Sequence, residues 1–229
     1  MQQIALNVIA IGVFIISVFS MLGPILHISP LVPVFIVLLL LFFLGIDAVL
    51  LQNRGISVLL EFLGGKQHRQ RVIHHEAGHF LIAYLLDIPI LDYSLSTLEA
   101  WRKGYKGSGG VVLGIEQIKD KENNLEKLCT VAMAGIAAEQ IVYKDAQGGQ
   151  DDRQHLYSLL LRKGLNRKSH PLKERTALLQ AKDLLRKNSS TYQSIVGLME
   201  QGSSIEQCYQ SLALDKKPST VPAESLVLS

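Results

Sequence analysis

RVIHHEAGHFLIAYLL, residues 71–86, is the stretch on which the reading turns. Three histidines and a glutamate stand between positions 74 and 79, and an apolar run follows at once. The pattern predicts one helix over Val72 to Leu86. His75 and His79 are four apart, so on a helix they project within about 40° of each other, one turn apart. Two imidazoles stacked in this way can grip one zinc ion. Glu76 sits beside them, where its carboxylate can take a proton from an attacking water. This is the HExxH arrangement, with two ligands and a general base on one rigid rod. The metal lowers the pKa of a water towards 7 and polarises a peptide carbonyl. Gly78 costs the helix about 1 kcal/mol relative to alanine; a helix that accepts this cost often needs a close backbone approach there. His74 points about 100° from His75 and reads as a solvated or supporting residue.

A catalytic zinc site takes a third protein ligand. The candidates are Asp87, Asp92, Asp145, Asp151, Asp152 and His155. Asp87 and Asp92 lie at or beyond the far end of the same helix, remote from His75. Asp151, Asp152 and His155 open the helix after Gly148-Gly149-Gln150, where a carboxylate usually caps. One aspartate can cap while the other binds metal, and spacing alone does not choose between them. His155, one turn after Asp152, either orients it or is a plain surface histidine.

The chain ahead of this segment is different in kind. The first fifty residues contain one acid, Asp47, no Lys or Arg, and one histidine, His27. Ile4 to Leu26 and Leu31 to Leu51 are each long enough to cross a bilayer, which takes about 20 apolar residues. Only His27 to Pro30 separates them, implying a tight hairpin, with Pro24 and Pro33 near the turn. A cleaved signal peptide fits poorly, because a basic n-region is missing and a second span follows. Arg54, Lys66, Arg69 and Arg71 follow the second span, whereas the connecting loop has no Lys or Arg. The positive-inside rule then puts both termini and the C-terminal portion on the cytoplasmic side, or its organellar equivalent. ISVLLEFL, 56–63, either lies in the membrane interface or extends the second span, and Gly64-Gly65 ends it. Trp101 and Tyr105 are candidates to touch substrate or membrane.

Composition excludes other classes. All 23 Lys and Arg lie beyond Leu51, and the whole chain carries +3, too mild a charge to argue for nucleic acid. Cys129 and Cys208 are far apart and fit neither a CxxC pair nor a disulfide framework. The remainder reads mainly helical. Ile88 to Leu98 and Gly110 to Ile118 read as short strands. Asn123 and Glu126 form a capping box opening a helix to about Tyr143. Further helices run from about Asp151 to Lys163, from Pro171 to about Lys187, and over two short final segments. The expected layout is two transmembrane helices in 1–52, a juxtamembrane linker in 53–70, a catalytic domain in 71–214 and a disordered tail in 215–229.

Three blocks together carry a resemblance: RVIHHEAGHFLIAYLL, AGIAAEQIVY at 134–143 and GGQDD at 148–152. They are similar to the peptidase domain of the FtsH family of membrane-anchored, ATP-dependent zinc metalloproteases, over roughly residues 69–213. The family pattern has HEAGH, then a GGRAAEEIIFG-like helix, then a GASND-like stretch supplying an aspartate ligand. The resemblance implies a helical zincin-type peptidase domain with a small β element. It also implies His75, His79 and Asp152 as zinc ligands and Glu76 as the catalytic residue. The substrates it implies are proteins near the membrane, with a homo-oligomer or a separate AAA ATPase as partner. The chain departs from the family in lacking the ATPase module, and no GxxxxGK[ST] loop occurs. Two rivals stand beside this reading: a non-catalytic membrane scaffold or chaperone, and an intramembrane site-2 protease, whose LDG motif ILDYS would have to mimic.

Overall fold

Two apolar helices open the chain, α1 (Gln2–Leu22) and α2 (Leu31–Leu50). The computed structural model describes residues 2–23, 25, 27, 29, 31–50, 54–105, 109–115 and 124–215. Pro24, Asn123, the 116–118 end of the second expected strand and the tail beyond 215 lie outside the described residues. α2 is long and apolar enough to cross a membrane. None of its residues is buried.

Next comes α3 (Arg54–Leu85), interrupted at Gly65, whose φ of 60° and ψ of −157° leave the helical region. Glycine alone takes that conformation without a Cβ clash. The predicted end of ISVLLEFL thus falls at the Gly64-Gly65 pair. Helix resumes well before Val72, through the stretch expected as a linker. α3 stops because Asp87 adopts φ 57°; the Ile88 amide reaches back to the Ala83 carbonyl at 2.9 Å and the Asp87 amide to Tyr84 at 3.2 Å. This is the Schellman pattern of closure.

β1 (Ile90–Ser94) and β2 (Gly110–Leu113) form a two-stranded sheet. The first strand is shorter than the run to Leu98 implied, because α4 (Thr97–Arg102) takes its end. Ser96 caps that helix, accepting the Glu99 amide at 3.1 Å, while Glu99 accepts the Leu95 amide at 2.9 Å. These reciprocal bonds resemble a capping box, and a helix nucleates where an alternating pattern read as strand.

Past residue 124 the protein is helical: α5 (Leu125–Ala132), α6 (Ala134–Tyr143), α7 (Gln150–Arg162), a 3-10 turn (Arg167–Ser169), α8 (His170–Lys187), α9 (Ser189–Glu200) and α10 (Ile205–Asp215). The single helix expected up to Tyr143 is two, broken at Met133 with φ −94° and ψ 0°. The chain divides into two units, residues 1–72 with 93–111, and residues 73–92 with 112–229. In the second, α8 packs across α5 and α6. Cys129, Met133, Ile136, Leu156, Leu160 and Ala177 form one core cluster there. α3 contributes Ile73, Ala77, Phe80 and Leu81, all buried, the spacing of one helix face.

Candidate metal centre

The centre lies wholly within the second unit. Its platform is the α3 segment from Ile73, seated against α6 with almost no clearance. A Cβ on Gly78 would lie 2.8 Å from both the Ala134 carbonyl oxygen and the Ala138 Cβ. The glycine that weakens the helix therefore allows this contact, as its place in the motif implied.

His75 and His79 project from the platform towards α7. Their Nε2 atoms are 3.1 Å apart. Asp152 on α7 meets both, with Oδ2 2.9 Å from Nε2 of His75 and Oδ1 3.4 Å from Nε2 of His79. The ligand atoms of the three residues all lie within 4.8 Å of one another. In a tetrahedral zinc site with bonds near 2.05 Å, neighbouring ligand atoms stand roughly 3.3 Å apart. The triangle fits that dimension.

The opposite ring nitrogens fix the direction of the lone pairs. Nδ1 of His75 donates to Oε1 of Glu139 at 2.7 Å, and Nδ1 of His79 to the Val131 carbonyl oxygen at 2.8 Å. The break at Met133 interrupts the helical ladder close to that carbonyl. With Nδ1 protonated on both rings, the two neutral imidazoles turn unprotonated nitrogens and an anionic carboxylate towards one point. Such an arrangement calls for a cation or an extra proton. Charge shifts follow the same logic. Burial opposes charge on His75, yet its bonds to Asp152 and Glu139 and the charge of Glu76 outweigh this and push its pKa up to about 10. His79 shifts upward too, against burial, through Asp152. Burial would raise the Asp152 carboxyl, but the two imidazoles hold it far below the usual carboxylate range.

Glu76 lies beside the pair, with its Oε2 shielded from solvent and its charge felt by both imidazoles. Of the other candidates, Asp151 and His155 are exposed and Asp87 closes the far end of α3. Asp92 stands in β1, and neither it nor Asp145 joins the three converging donors. Neither aspartate caps α7. Gly149 does, at φ 86°, leaving both acids in the first turn, where negative charge suits the helix dipole. His74, expected as solvated or supporting, is half-buried and takes the supporting place. Its Nδ1 lies 2.8 Å from the Tyr192 hydroxyl, and its ring packs edge-on to Tyr143.

Sequence reasoning missed the supporting groups. Glu139 is 2% exposed and also accepts the amides of Gln147 at 2.9 Å and Gly148 at 3.3 Å. Its signal was the one acid of a mostly apolar helix, four residues after Gly135. Gly135 itself backs the two converging nitrogens: a Cβ there would lie 2.3 Å from Nε2 of His75 and 2.5 Å from Nε2 of His79. The chain matches no protein-family model and no curated protein sequence.

Proposed function

We propose that the chain is a membrane-anchored zinc metalloendopeptidase of the FtsH type, cleaving unfolded or membrane-proximal protein segments. One observation carries this reading: two Nε2 atoms and a carboxylate converge within 4.8 Å, while each Nδ1 is bonded to its own acceptor. Three protein ligands leave a fourth position for water, the pattern of catalytic rather than structural zinc.

A bound zinc ion would supply a water of lowered pKa and a Lewis acid for the scissile carbonyl. Glu76 takes the proton of the attacking water and passes it to the departing amine. Glu139 and the Val131 carbonyl hold the Nδ1 protons, so that each imidazole offers its Nε2 lone pair throughout the cycle. Asp152 completes the grip from α7.

The anchor is α2, and the contact that α1 makes with it supports a two-span hairpin ahead of a zincin-type domain. Basic residues after α2, and none in the connecting loop, favour a cytoplasmic or equivalent catalytic side. Without a phosphate loop, the chain acts on segments already unfolded, or on those delivered by a separate AAA ATPase.

The test compares purified wild type with Glu76→Gln and Asp152→Ala, by metal analysis and casein cleavage in detergent. Wild type should hold about one zinc per chain. Glu76→Gln should keep the metal and lose cleavage by about 10²–10⁴-fold, and Asp152→Ala should lose both. Wild type without zinc, or Glu76→Gln with unchanged cleavage, would end the protease reading. Bound zinc without any cleavage would move the chain to the scaffold class.

A further inference from the structure

Resting on the reading of α2 as a membrane span, we infer that the first unit carries a separate lipid-binding surface. The α3 arm before Gly65 and α4 together dock on the headgroup region of an anionic bilayer. The arm is fixed to the end of α2: Asp47, the acid of that apolar helix, accepts the amides of Gly55 at 2.8 Å and Ile56 at 3.0 Å. The bond pair sets the arm's direction at its first turn, where amides otherwise lack partners.

Both elements turn large apolar side chains outward. On the arm, Leu59, Phe62 and Leu63 are 50%, 83% and 51% exposed, while Leu60 between them is buried. On α4, Leu98 and Trp101 are 40% and 52% exposed, while Thr97 and Ala100 are buried. Spacings of three and four residues put each set on one helix face. Glu61 joins the two faces. It accepts the Thr97 amide at 3.0 Å and is bonded to the Thr97 hydroxyl, tying the residue before Phe62 to the residue before Leu98. Arg54 adds a second tie, its Nη2 donating to the Tyr105 carbonyl at 3.0 Å.

Charge selects the occupant. In 54–72 and 93–105, six basic residues (Arg54, Lys66, Arg69, Arg71, Arg102 and Lys103) stand against two acids, Glu61 and Glu99. Both acids are engaged, Glu61 with Thr97 and Glu99 with Lys103 at 3.1 Å. An apolar face with a tryptophan, on segments of net positive charge, is the composition of an interfacial element on anionic lipid. The bilayer-length α2 ends at Leu50 and the arm begins at Arg54, so the surface starts beside the headgroups. Gly65 then redirects the chain as the apolar face ends.

Trp101 is the only tryptophan in the sequence, so emission excited beyond the tyrosine absorption band reports on this surface alone. Full-length protein is reconstituted into vesicles of phosphatidylcholine with and without phosphatidylglycerol, then washed with alkaline carbonate. Expected is blue-shifted emission in anionic vesicles, quenched by lipids brominated near the headgroup and several-fold less accessible than in neutral vesicles to acrylamide, an uncharged quencher that an anionic surface does not repel. Leu59→Ser/Phe62→Ser should restore acrylamide access while the protein stays with the vesicles. Loss of wild type from the vesicles in carbonate would overturn the span reading and the dock with it. Retention with fully acrylamide-accessible Trp101 would overturn the dock alone. Emission shielded from both acrylamide and brominated lipid would mean a protein cover, and would also overturn it.

Discussion

Nδ1 of His75 stands 2.7 Å from Oε1 of Glu139, so the imidazole that faces the ligand triangle is held from behind by a buried carboxylate. That carboxylate is itself fixed by the Gln147 and Gly148 amides. A carboxamide in its place would turn an NH₂ towards one of these donors. Glu139→Gln should lower zinc affinity about 10–100-fold, the usual effect of removing a group that orients a metal-bound histidine. Competition against a chromogenic chelator, beside circular dichroism as a fold control, measures it. Unchanged affinity would mean that Glu139 does not orient His75.

Gly135 and Gly78 should separate metal binding from packing. A methyl on Gly135 would lie within 2.5 Å of both Nε2 atoms, inside the space the ligand atoms share. A methyl on Gly78 would press on the Ala134 carbonyl at 2.8 Å and leave the donors alone. Gly135→Ala should bring zinc content to background. Gly78→Ala should bind zinc while losing about 1–3 kcal/mol of stability to overpacking. Equal zinc content in both variants would show that Gly135 is not a wall of the site.

The end of α6 offers a stabilising change. Lys144 sits in the left-handed region at φ 68°, ψ −8°, where an L side chain costs roughly 1–2 kcal/mol. Lys144→Gly should raise stability by about 1 kcal/mol after its own entropy cost, a few degrees in melting temperature. A lower melting temperature would refute the strain at this position.

Sequence made the helix of the second unit's platform and its donor pair legible, because the four-residue spacing of His75 and His79 acts within one element. The contribution of Asp152 needed a resemblance, since whether it or Asp151 turns inward depends on where Gly149 starts α7. The break at Met133 had only a weak local marker: AMAGIAAE contains no proline, a single glycine follows two residues on, and the His79 bond to the Val131 carbonyl at its edge comes from another helix. Glu139 and Gly135 escaped for the same reason, their role being visible only once α6 lies against α3. The helix α4 is written in Ser96 and Glu99, a capping pair that outweighs the alternation around it.

The raised pKa of His75 gives the metal-free protein a distinctive pH dependence. Its folded value is about 10 against an ordinary 6.5, so the native state binds the proton more tightly than the unfolded chain. The stability this supplies is full below pH 6.5 and drains away as pH rises through about 10. His79, shifted in the same direction, adds to the slope with the same sign. Asp152 and Glu139 are both shifted downward, remain ionised throughout this window and contribute no slope. Zinc binds the neutral imidazoles, so the loaded protein has no such proton to lose. The rise in melting temperature caused by zinc should therefore keep growing from pH 6.5 to 8.5. A site built from unperturbed histidines would level off by about pH 7.5, one unit above their pKa. Thermal melts in detergent, with zinc or with chelator at fixed free-metal concentration, distinguish the two. A zinc increment that is flat above pH 7.5 would mean that no proton is held between the imidazoles and Asp152.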